Sequence, residues 1–196
     1  FTYPQTSQQC LKDIQLKIPS GQILAVVGEI GSGKSTLIQM IPRLYNVMEG
    51  TLFIGGYPID KISLSVLRKN IGYVDQEPYL FSSTIRENIT FGVDSATDGE
   101  IDDVIKKSGL SADLNRFPEG LETVVGERGV LLSGGQIQRI ALARALLVSP
   151  SILVLDDAFS SLDAETEENI LSNASEFTRG ATTIIVSHRL SAVRKA

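Results

Sequence analysis

Four short apolar runs are spaced along the chain, and each one leads into a polar or glycine-rich loop. They occupy residues 23–27, 71–74, 152–155 and 183–186. Continuous apolar runs of this length are typical of strands that are buried on both faces. A helical pattern follows the first run over 34–44, and the last two runs also lead into a loop and a helix. The pattern predicts an α/β fold.

The first third of the chain carries two further β patterns. One is a rough alternation of apolar and polar residues that ends at a turn, made by Leu11, Ile14, Leu16 and Ile18 before Pro19-Ser20-Gly21. It predicts a strand followed by a turn. The other is the run 51–54 followed by Gly55-Gly56, which predicts a hairpin strand and its turn.

The middle of the chain carries signals that start and stop helices. Thr84 and Thr97 are each followed three residues later by a glutamate, which is the capping box that opens a helix. Gly109 is placed to end the second of these helices. Residues 77–148 are therefore expected to be mostly helical.

Composition is that of a globular chain with the length of one ordinary domain. Its 196 residues are 42% hydrophobic and 21% charged. The net charge of −5 argues against a general nucleic-acid binder, and the single cysteine, Cys10, excludes a disulfide framework. No run approaches the ~20 apolar residues that cross a bilayer. Because Phe1 and Ala196 both stand within patterned sequence, we expect a piece of a longer protein.

Residues 28–36 match the phosphate-binding pattern G-x-x-x-x-G-K-[ST] between a predicted strand and a predicted helix. Glycines let successive backbone N–H groups surround an anion, and the helix N-terminus adds partial positive charge. Lys34 is expected to reach the β- and γ-phosphates of a nucleotide, and the Ser35 hydroxyl to bind Mg²⁺. The nucleotide-binding residues expected in this phosphate loop are Gly28, Gly31, Ser32, Gly33, Lys34, Ser35 and Thr36.

A carboxylate ends the apolar run 152–155. Asp156 stands where ligands of open α/β sheets bind, outside the C-terminal end of a strand. A hard cation prefers oxygen ligands, so beside a phosphate loop Asp156 is expected to hold Mg²⁺ through water. On its own, an aspartate in this place is more often a turn or cap residue. The expectation therefore rests on the two motifs together.

A second glycine-rich loop, Leu132 to Gln136, lies far downstream of the phosphate loop. Serine is a good N-cap, and the two glycines behind it predict a bare helix N-terminus that is offered to a phosphate. One phosphate site needs only one such loop. The residues expected to serve a nucleotide held by a second domain are Ser133, Gly134, Gly135 and Gln136.

Together these motifs resemble the nucleotide-binding domains of ATP-binding cassette (ABC) exporters, and the resemblance covers the whole chain. The motifs concerned are Walker A, Walker B, the family signature and the D-loop, at 28–36, 152–156, 132–136 and 160–163. Residues 132–136 are called the signature loop below. The resemblance implies a P-loop NTPase with a RecA-like core, an N-terminal antiparallel β subdomain and an inserted α-helical subdomain at about 77–148. It also implies that residues 1–196 form a single ATP-binding domain.

The resemblance assigns roles to three more residues. His188, the only histidine, stands at the position of the switch histidine, where an imidazole can donate a hydrogen bond to developing charge. Gln76 stands at the Q-loop position and is expected to act in catalysis and in Mg²⁺ binding. Tyr3 resembles the aromatic residue that stacks on adenine. From the residues alone, each of the three also fits an ordinary structural role.

Two segments, 80–89 and 123–129, resemble exporter sequences that face the coupling helices of a transmembrane domain. They are called the membrane-facing segments below. Val124 departs from the family pattern, because many exporters carry an acidic residue there.

Asp157 stands where the family has its catalytic glutamate. Aspartate keeps the carboxylate but withdraws it by ~1.5 Å, about one C–C bond. A misplacement of ~1 Å in a reacting group can cost ~10²-fold in rate. With an intact signature loop, an aspartate here resembles the weak-site half of a heterodimeric exporter, so we expect slow hydrolysis. The alternative is that the backbone shifts and Asp157 works as a normal base.

The function implied is that of an ATP-hydrolysing domain of an ABC exporter at the cytoplasmic face of a membrane. Its implied partners are a second nucleotide-binding domain, in a heterodimer, and a transmembrane domain, with no nucleic acid. Two alternatives stay open. One is a soluble ABC ATPase that acts on ribosomes or DNA, and the other is a regulatory nucleotide-binding module with little turnover.

Overall fold

A computed structural model of the chain describes residues 1–4, 6–126, 129–163, 166–168, 170 and 180–188. In chain order its strands are β1 (Ile23–Val26), β2 (Phe53–Ile54), β3 (Tyr57–Pro58), β4 (Ile71–Val74), β5 (Ile152–Asp156) and β6 (Thr182–Val186). Within the described residues, β1, β6, β5 and β4 form a parallel sheet in that order, and β2 and β3 form an antiparallel hairpin. The four strands predicted from continuous apolar runs and the predicted hairpin are confirmed.

Six α-helices are described in these ranges of the chain. They are α1 (Lys34–Gln39), α2 (Leu64–Lys69), α3 (Ile85–Thr90), α4 (Asp98–Lys107), α5 (Ser111–Leu114) and α6 (Gly134–Leu147). Short 3₁₀ turns cover Ile59–Lys61 and Gly120–Glu122. None of the described helices is both long and apolar enough to cross a membrane.

The sheet has a buried layer on each face. Leu153, Leu155 and Ile185 pack into a cluster with apolar residues of α3, α4 and α6. Val154 and Ile184, which alternate with them along β5 and β6, pack into a second cluster on the other face with α1 and α2. Both faces of the central strands are therefore covered, which explains why their sequences are apolar without alternation.

Helices α3 to α6 lie within the predicted helical region, and the predicted start and stop signals of α3 and α4 are confirmed. Thr84 and Thr97 each form a complete capping box. At the end of α4, the N–H of Gly109 donates to Lys106 O at 3.1 Å and the N–H of Leu110 to Ile105 O at 3.0 Å, which is a Schellman motif. That 77–148 is a subdomain of its own stays a prediction.

Two details of the sequence-based prediction are wrong. The segment 11–18 forms no strand, and Ile14 and Leu16 are 53% and 54% exposed. An alternating pattern becomes a strand only beside a partner, and among the described residues no strand pairs with this segment. Helix α1 ends at Gln39 rather than near residue 44, since Pro42 disfavours helical backbone in the residue before it.

Candidate nucleotide-binding site

The predicted site residues collect where the parallel strands end. The phosphate loop follows β1, Asp75 and Gln76 follow β4, Asp156 ends β5, and His188 lies two residues beyond β6. Because the four strands are parallel, their carboxyl ends meet at one edge of the sheet. Ligands of open α/β sheets bind at this edge.

The phosphate loop turns into α1 through glycines in the left-handed region, with φ of 82° at Gly31 and 90° at Gly33. A Cβ at Gly33 would also come within 3.1 Å of Leu11 Cδ2, a close contact that adds to the left-handed φ in favouring glycine. Lys34 Nζ donates to Gly28 O at 2.8 Å and to Glu29 O at 2.7 Å. The ammonium group therefore lies inside its own loop, within reach of an anion that the loop's N–H groups would bind.

Ser35 and Asp156 meet across the start of α1 and the end of β5. Ser35 Oγ donates to Asp156 Oδ1 at 3.1 Å, and Asp156 is 1% exposed. Burial raises the pKa of the Asp156 carboxyl; the Ser35 hydrogen bond opposes this, and the charges of Asp75 and Asp157 add to it. A buried carboxylate, more negative charge beside it and a hydroxyl oxygen are the groups that a hard divalent cation would bind.

The oxygen ligands that Ser35 and Asp156 offer fit a cation that is bound partly by the protein and partly by a ligand. Among the described residues, no group of three or more histidine, cysteine, aspartate or glutamate side chains converges on a point. Mg²⁺ keeps several waters and is commonly bound by one or two protein groups together with substrate phosphates. Ser35 and Asp156 supply such a pair.

Asp157 and His188 are in direct contact. Asp157 Oδ1 lies 3.0 Å from His188 Nδ1 and accepts the His188 backbone N–H at 3.3 Å. The Asp157 backbone is in the left-handed region, with φ 44°, and its N–H donates to Val186 O at 3.0 Å. Since an ionised carboxylate only accepts hydrogen bonds, the ring contact requires the proton on Nδ1. The Asp157 side chain is 14% exposed and that of His188 53%, so the ring remains accessible.

Tyr3 lies beside the phosphate loop. Its hydroxyl is 2.7 Å from Thr36 Oγ1, and its ring contacts Phe1 and Tyr45 edge to face, each with centroids 5.1 Å apart. The predicted stacking on adenine stays a prediction, as does the role of Gln76. Gln76 is exposed, and its backbone N–H donates to Asp75 Oδ1 at 2.8 Å.

The signature loop opens α6 but is not a bare helix N-terminus, so that expectation is wrong in one respect. Ser133 Oγ accepts the N–H of Gln136 at 3.3 Å, and Gln136 Oε1 accepts the N–H of Ser133 at 2.9 Å. This capping box satisfies two backbone N–H groups at the start of α6, those of Ser133 and Gln136. Ser133 and Gly134 are exposed. A Cβ on Gly134 would lie 3.0 Å from Ser161 Oγ, so glycine lets the loop after β5 pack against the start of α6.

Comparison with known proteins identifies the family to which this site belongs. Residues 11–160 match the family model described as ABC transporter. The chain belongs to the ABC transporter family. The resemblance drawn from the Walker and signature motifs is thereby confirmed, and with it the α/β P-loop NTPase fold and an ATPase domain.

Individual proteins that are similar to this ABC domain support the same family assignment. The chain is 48% identical over its full length to a probable multidrug resistance ABC transporter ATP-binding/permease protein, YheI, of Bacillus subtilis, and covers 34% of it. It is 46% identical over its full length to the multidrug resistance-like ATP-binding protein MdlA of Escherichia coli, and covers 33% of that protein. A solved bacterial Atm1-family ABC exporter with ATP bound matches 98% of the chain at 39% identity and TM-score 0.92, over 34% of its own length. The chain thus spans about a third of these relatives.

The two membrane-facing segments of this ABC domain lie against each other. Thr84 and Val124 form an antiparallel bridge, and Val125 N–H donates to Ser83 O at 3.0 Å. From α6, Arg144 donates to Asn88 O at 2.7 Å and to Tyr79 O at 2.9 Å. Its guanidinium also lies 5.7 Å from the ring centroid of Phe81. Glu127 and Arg128, in the second segment, lie outside the described residues.

Sequence reasoning missed three residues that support the site. Asp75 follows β4 as Asp156 ends β5, so its place after a buried strand could have signalled it. Gln138 is a fully buried amide whose Nε2 donates to Ser160 Oγ at 2.9 Å and whose Oε1 accepts the Ser161 N–H at 3.0 Å. Asp113 is a buried carboxylate that contacts the signature loop. The sequence gives a signal for Gln138, which is a polar residue among apolar neighbours in α6. It gives no signal for the contact of Asp113 with the signature loop.

Proposed function

We propose that this chain is the nucleotide-binding domain of an ABC exporter, and that it binds MgATP at the edge of the sheet. The observation that carries the proposal is the convergence of Lys34, the Ser35–Asp156 pair and the Asp157–His188 pair at that edge. These groups supply cationic, metal-binding and proton-holding chemistry side by side. Phosphoryl transfer by P-loop NTPases uses this combination.

Each residue has a distinct part in this proposal. The backbone of Gly28 to Thr36 and the Lys34 ammonium bind the β- and γ-phosphates, and Tyr3 stacks on the base. Ser35, Asp156 and Gln76 would hold Mg²⁺, which would neutralise phosphate charge when bound. In its imidazolium form His188 carries a proton on both ring nitrogens, so Nδ1 donates to Asp157 while Nε2 donates to the γ-phosphate. Asp157 orients the attacking water.

The shorter carboxylate makes this half of the exporter the slower one. Asp157 Oδ1 already accepts two bonds from His188, and its side chain is one methylene shorter than the family's glutamate. A water placed for attack would therefore be held less well than by glutamate. The intact signature loop, in turn, completes the nucleotide site of the second cassette. Together these features support a heterodimer in which this chain binds ATP firmly and hydrolyses it slowly.

The second partner in this proposal is a transmembrane domain, which places the chain at the cytoplasmic face of a membrane. Tyr79 and Phe91, which flank the first membrane-facing segment, are 72% and 56% exposed, and Val124 in the second is 43% exposed. Exposed aromatic and apolar side chains that lie together are typical of protein contacts. The net charge of −5 gives no support to a nucleic-acid partner.

The test replaces Asp157 with glutamate in the full-length protein, assembled with its partner cassette, whose own hydrolysis has been inactivated. We expect the steady-state ATPase rate to rise by about 10–100-fold, because the carboxylate then reaches the attacking water. Asp157→Asn is the matched control and should not raise the rate. A rate that is unchanged or lower in Asp157→Glu counts against slow hydrolysis caused by aspartate. ATP binding without turnover in both variants would favour the regulatory module.

A further inference from the structure

Asp113 is a buried carboxylate that lies outside the proposed nucleotide site. It stands on the short helix α5 and is 5% exposed. Its Oδ2 accepts Arg139 Nε at 2.7 Å, and its Oδ1 accepts Gln136 Nε2 at 3.2 Å. The side chains of Arg139 and Asp113 are only 13% and 7% exposed. One buried carboxylate therefore bonds both the signature loop and the first turns of α6.

The contact with Asp113 fixes which way the Gln136 amide points. A carboxylate can only accept, so Gln136 must present its NH₂ group to Asp113. Its Oε1 then faces the other way, where it accepts the Ser133 backbone N–H at 2.9 Å. Without the carboxylate, the amide has no such preference, and the capping box can lose its acceptor.

The two bonds of the capping box act on different atoms of Ser133: the Gln136 side-chain amide holds the Ser133 backbone N–H, and the Gln136 backbone N–H bonds the Ser133 hydroxyl. Inside the box, Ser133 Oγ accepts the Gln136 backbone N–H at 3.3 Å. The oxygen of the hydroxyl thus accepts a bond from within the protein, and its own proton is left for an acceptor outside. Ser133 is exposed, so a phosphate oxygen can reach it.

We propose that Asp113 is a positioning residue for the signature loop. Through Gln136 it holds Ser133 ready to donate to a phosphate bound by the partner cassette. The proposal rests on the proposed function, because it takes the signature loop to serve a nucleotide of the second domain. A preset donor needs no reorganisation when charge develops on the phosphate, which is the condition for effective electrostatic stabilisation.

A purely structural role makes a different prediction. On that reading the Asp113–Arg139 pair only joins α5 to α6, and every change at Asp113 acts through stability. Exchanging the carboxylate of Asp113 and the amide of Gln136 distinguishes the positioning role from the structural role. In the double variant Asp113→Asn/Gln136→Glu, the new amide on α5 can accept from Arg139 and donate to the new carboxylate on α6. That carboxylate can accept the Ser133 N–H, as Glu100 does for Thr97 in α4, and the charge of the cluster is unchanged.

The experiment measures ATPase activity of the full-length protein with its partner cassette, for wild type, both single variants and the double variant. Each single variant should lower the rate by about tenfold. The double variant should have a higher ATPase rate than Gln136→Glu alone, closer to the wild-type value. If the double variant has the same ATPase rate as Gln136→Glu alone, or a lower one, positioning by Asp113 is overturned. This comparison holds even if Asp113→Asn alone does not fold.

Two further measurements keep this inference separate from the proposed function. The affinity of the chain's own site for ATP should be the same in Asp113→Asn and wild type, because Asp113 lies outside that site. Ser133→Ala tests the signature loop itself. If Ser133→Ala leaves the ATPase rate unchanged, the proposed function fails. If Ser133→Ala lowers the rate and Asp113→Asn at equal melting temperature does not, only the role of Asp113 fails.

Discussion

At the scale of single residues, Asp156 illustrates how the chemistry of the site opposes the stability of the domain. Its carboxyl is buried, and burial, with the charges of Asp75 and Asp157, raises its pKa. A carboxyl whose pKa is raised by folding stabilises the folded state while protonated, and this contribution is lost as the pH rises through the folded pKa. At neutral pH the charge of Asp156 is therefore unfavourable for folding, and a bound cation would offset it.

Replacing Asp156 with asparagine should stabilise the protein without nucleotide and metal at neutral pH. The amide has the same shape and can accept the Ser35 hydrogen bond, but it carries no charge. We expect a gain of about 1 kcal/mol, or roughly 2–4 °C in melting temperature. The variant should also lose the stabilisation that MgATP gives to wild type. Calorimetry with and without MgATP measures both effects.

The pH dependence provides the control for Asp156→Asn. The difference from wild type should be small below the ordinary aspartate pKa of 3.8 and complete above the raised pKa of Asp156. Asp163→Asn should have the opposite sign, because hydrogen bonds from Thr166 lower the pKa of the Asp163 carboxyl. Its charge stabilises the fold above pH 3.8, and this contribution is lost as the pH falls. A melting temperature of Asp156→Asn below that of wild type at neutral pH would contradict the prediction.

At the scale of elements, three helices begin in the same way and serve different ends. Helices α3, α4 and α6 each start with a complete capping box, headed by Thr84, Thr97 and Ser133. The local hydrogen bonds are equivalent. Only α6 continues with two glycines, and only its N-terminus packs against the loop after β5. The capping box gives each helix its start, and the glycines give α6 a surface that phosphate can approach.

Ser133→Ala and Thr97→Ala therefore form a matched pair. Both remove an exposed cap, and both should lower the free energy of unfolding by about 1 kcal/mol. Only Ser133→Ala should also lower the ATPase rate of the full-length protein with its partner cassette, by about tenfold, because it removes a donor to phosphate. Denaturant unfolding and steady-state ATPase assays measure the two quantities. Equal activity in the two variants would show that the Ser133 hydroxyl serves only as a cap.

At the scale of the molecule, α6 joins two surfaces with separate proposed partners. Its first residues form the signature loop, and Arg144 near its end bonds Asn88 and Tyr79 of the region around the first membrane-facing segment. Fourteen residues make α6 about 21 Å long. Asp113, Arg139 and Gln138 anchor its N-terminal half. Under the proposed function, a change at the partner's nucleotide would therefore reach the membrane-facing segments along α6.

The docking surface can be located with two tyrosines of equal exposure. Tyr79 and Tyr57 are 72% and 70% exposed in this domain. In a cysteine-free background of the full-length, membrane-embedded protein, which includes Cys10→Ser, Tyr57→Cys should react readily with a maleimide. Tyr79→Cys should stay largely unlabelled, because the transmembrane domain covers it. Similar labelling of both cysteines would contradict docking at the membrane-facing segments.

Much of the fold and of the site followed from short stretches of sequence. The four buried strands, the hairpin and the capping boxes at Thr84 and Thr97 depend on chemistry within a few residues, so local patterns predict them. The phosphate loop is equally local. The strand predicted at 11–18 failed for the opposite reason, since strand formation depends on a partner that the local pattern does not contain. The predicted length of α1 was too great because the apolar pattern continues past Pro42, which disfavours helical backbone in the residue before it.

What the sequence determined by itself is the set of reactive groups and the local backbone that carries each one: the phosphate loop, the strand that ends in Asp156, and the signature loop. What only the tertiary structure decided is which groups touch. Ser35 meets Asp156 across 121 positions of the chain, Asp157 meets His188 across 31, and Asp113 meets Gln136 across 23. Such contacts arise because parallel strands bring their carboxyl ends to one edge and because α5 packs beside α6. No local pattern encodes them.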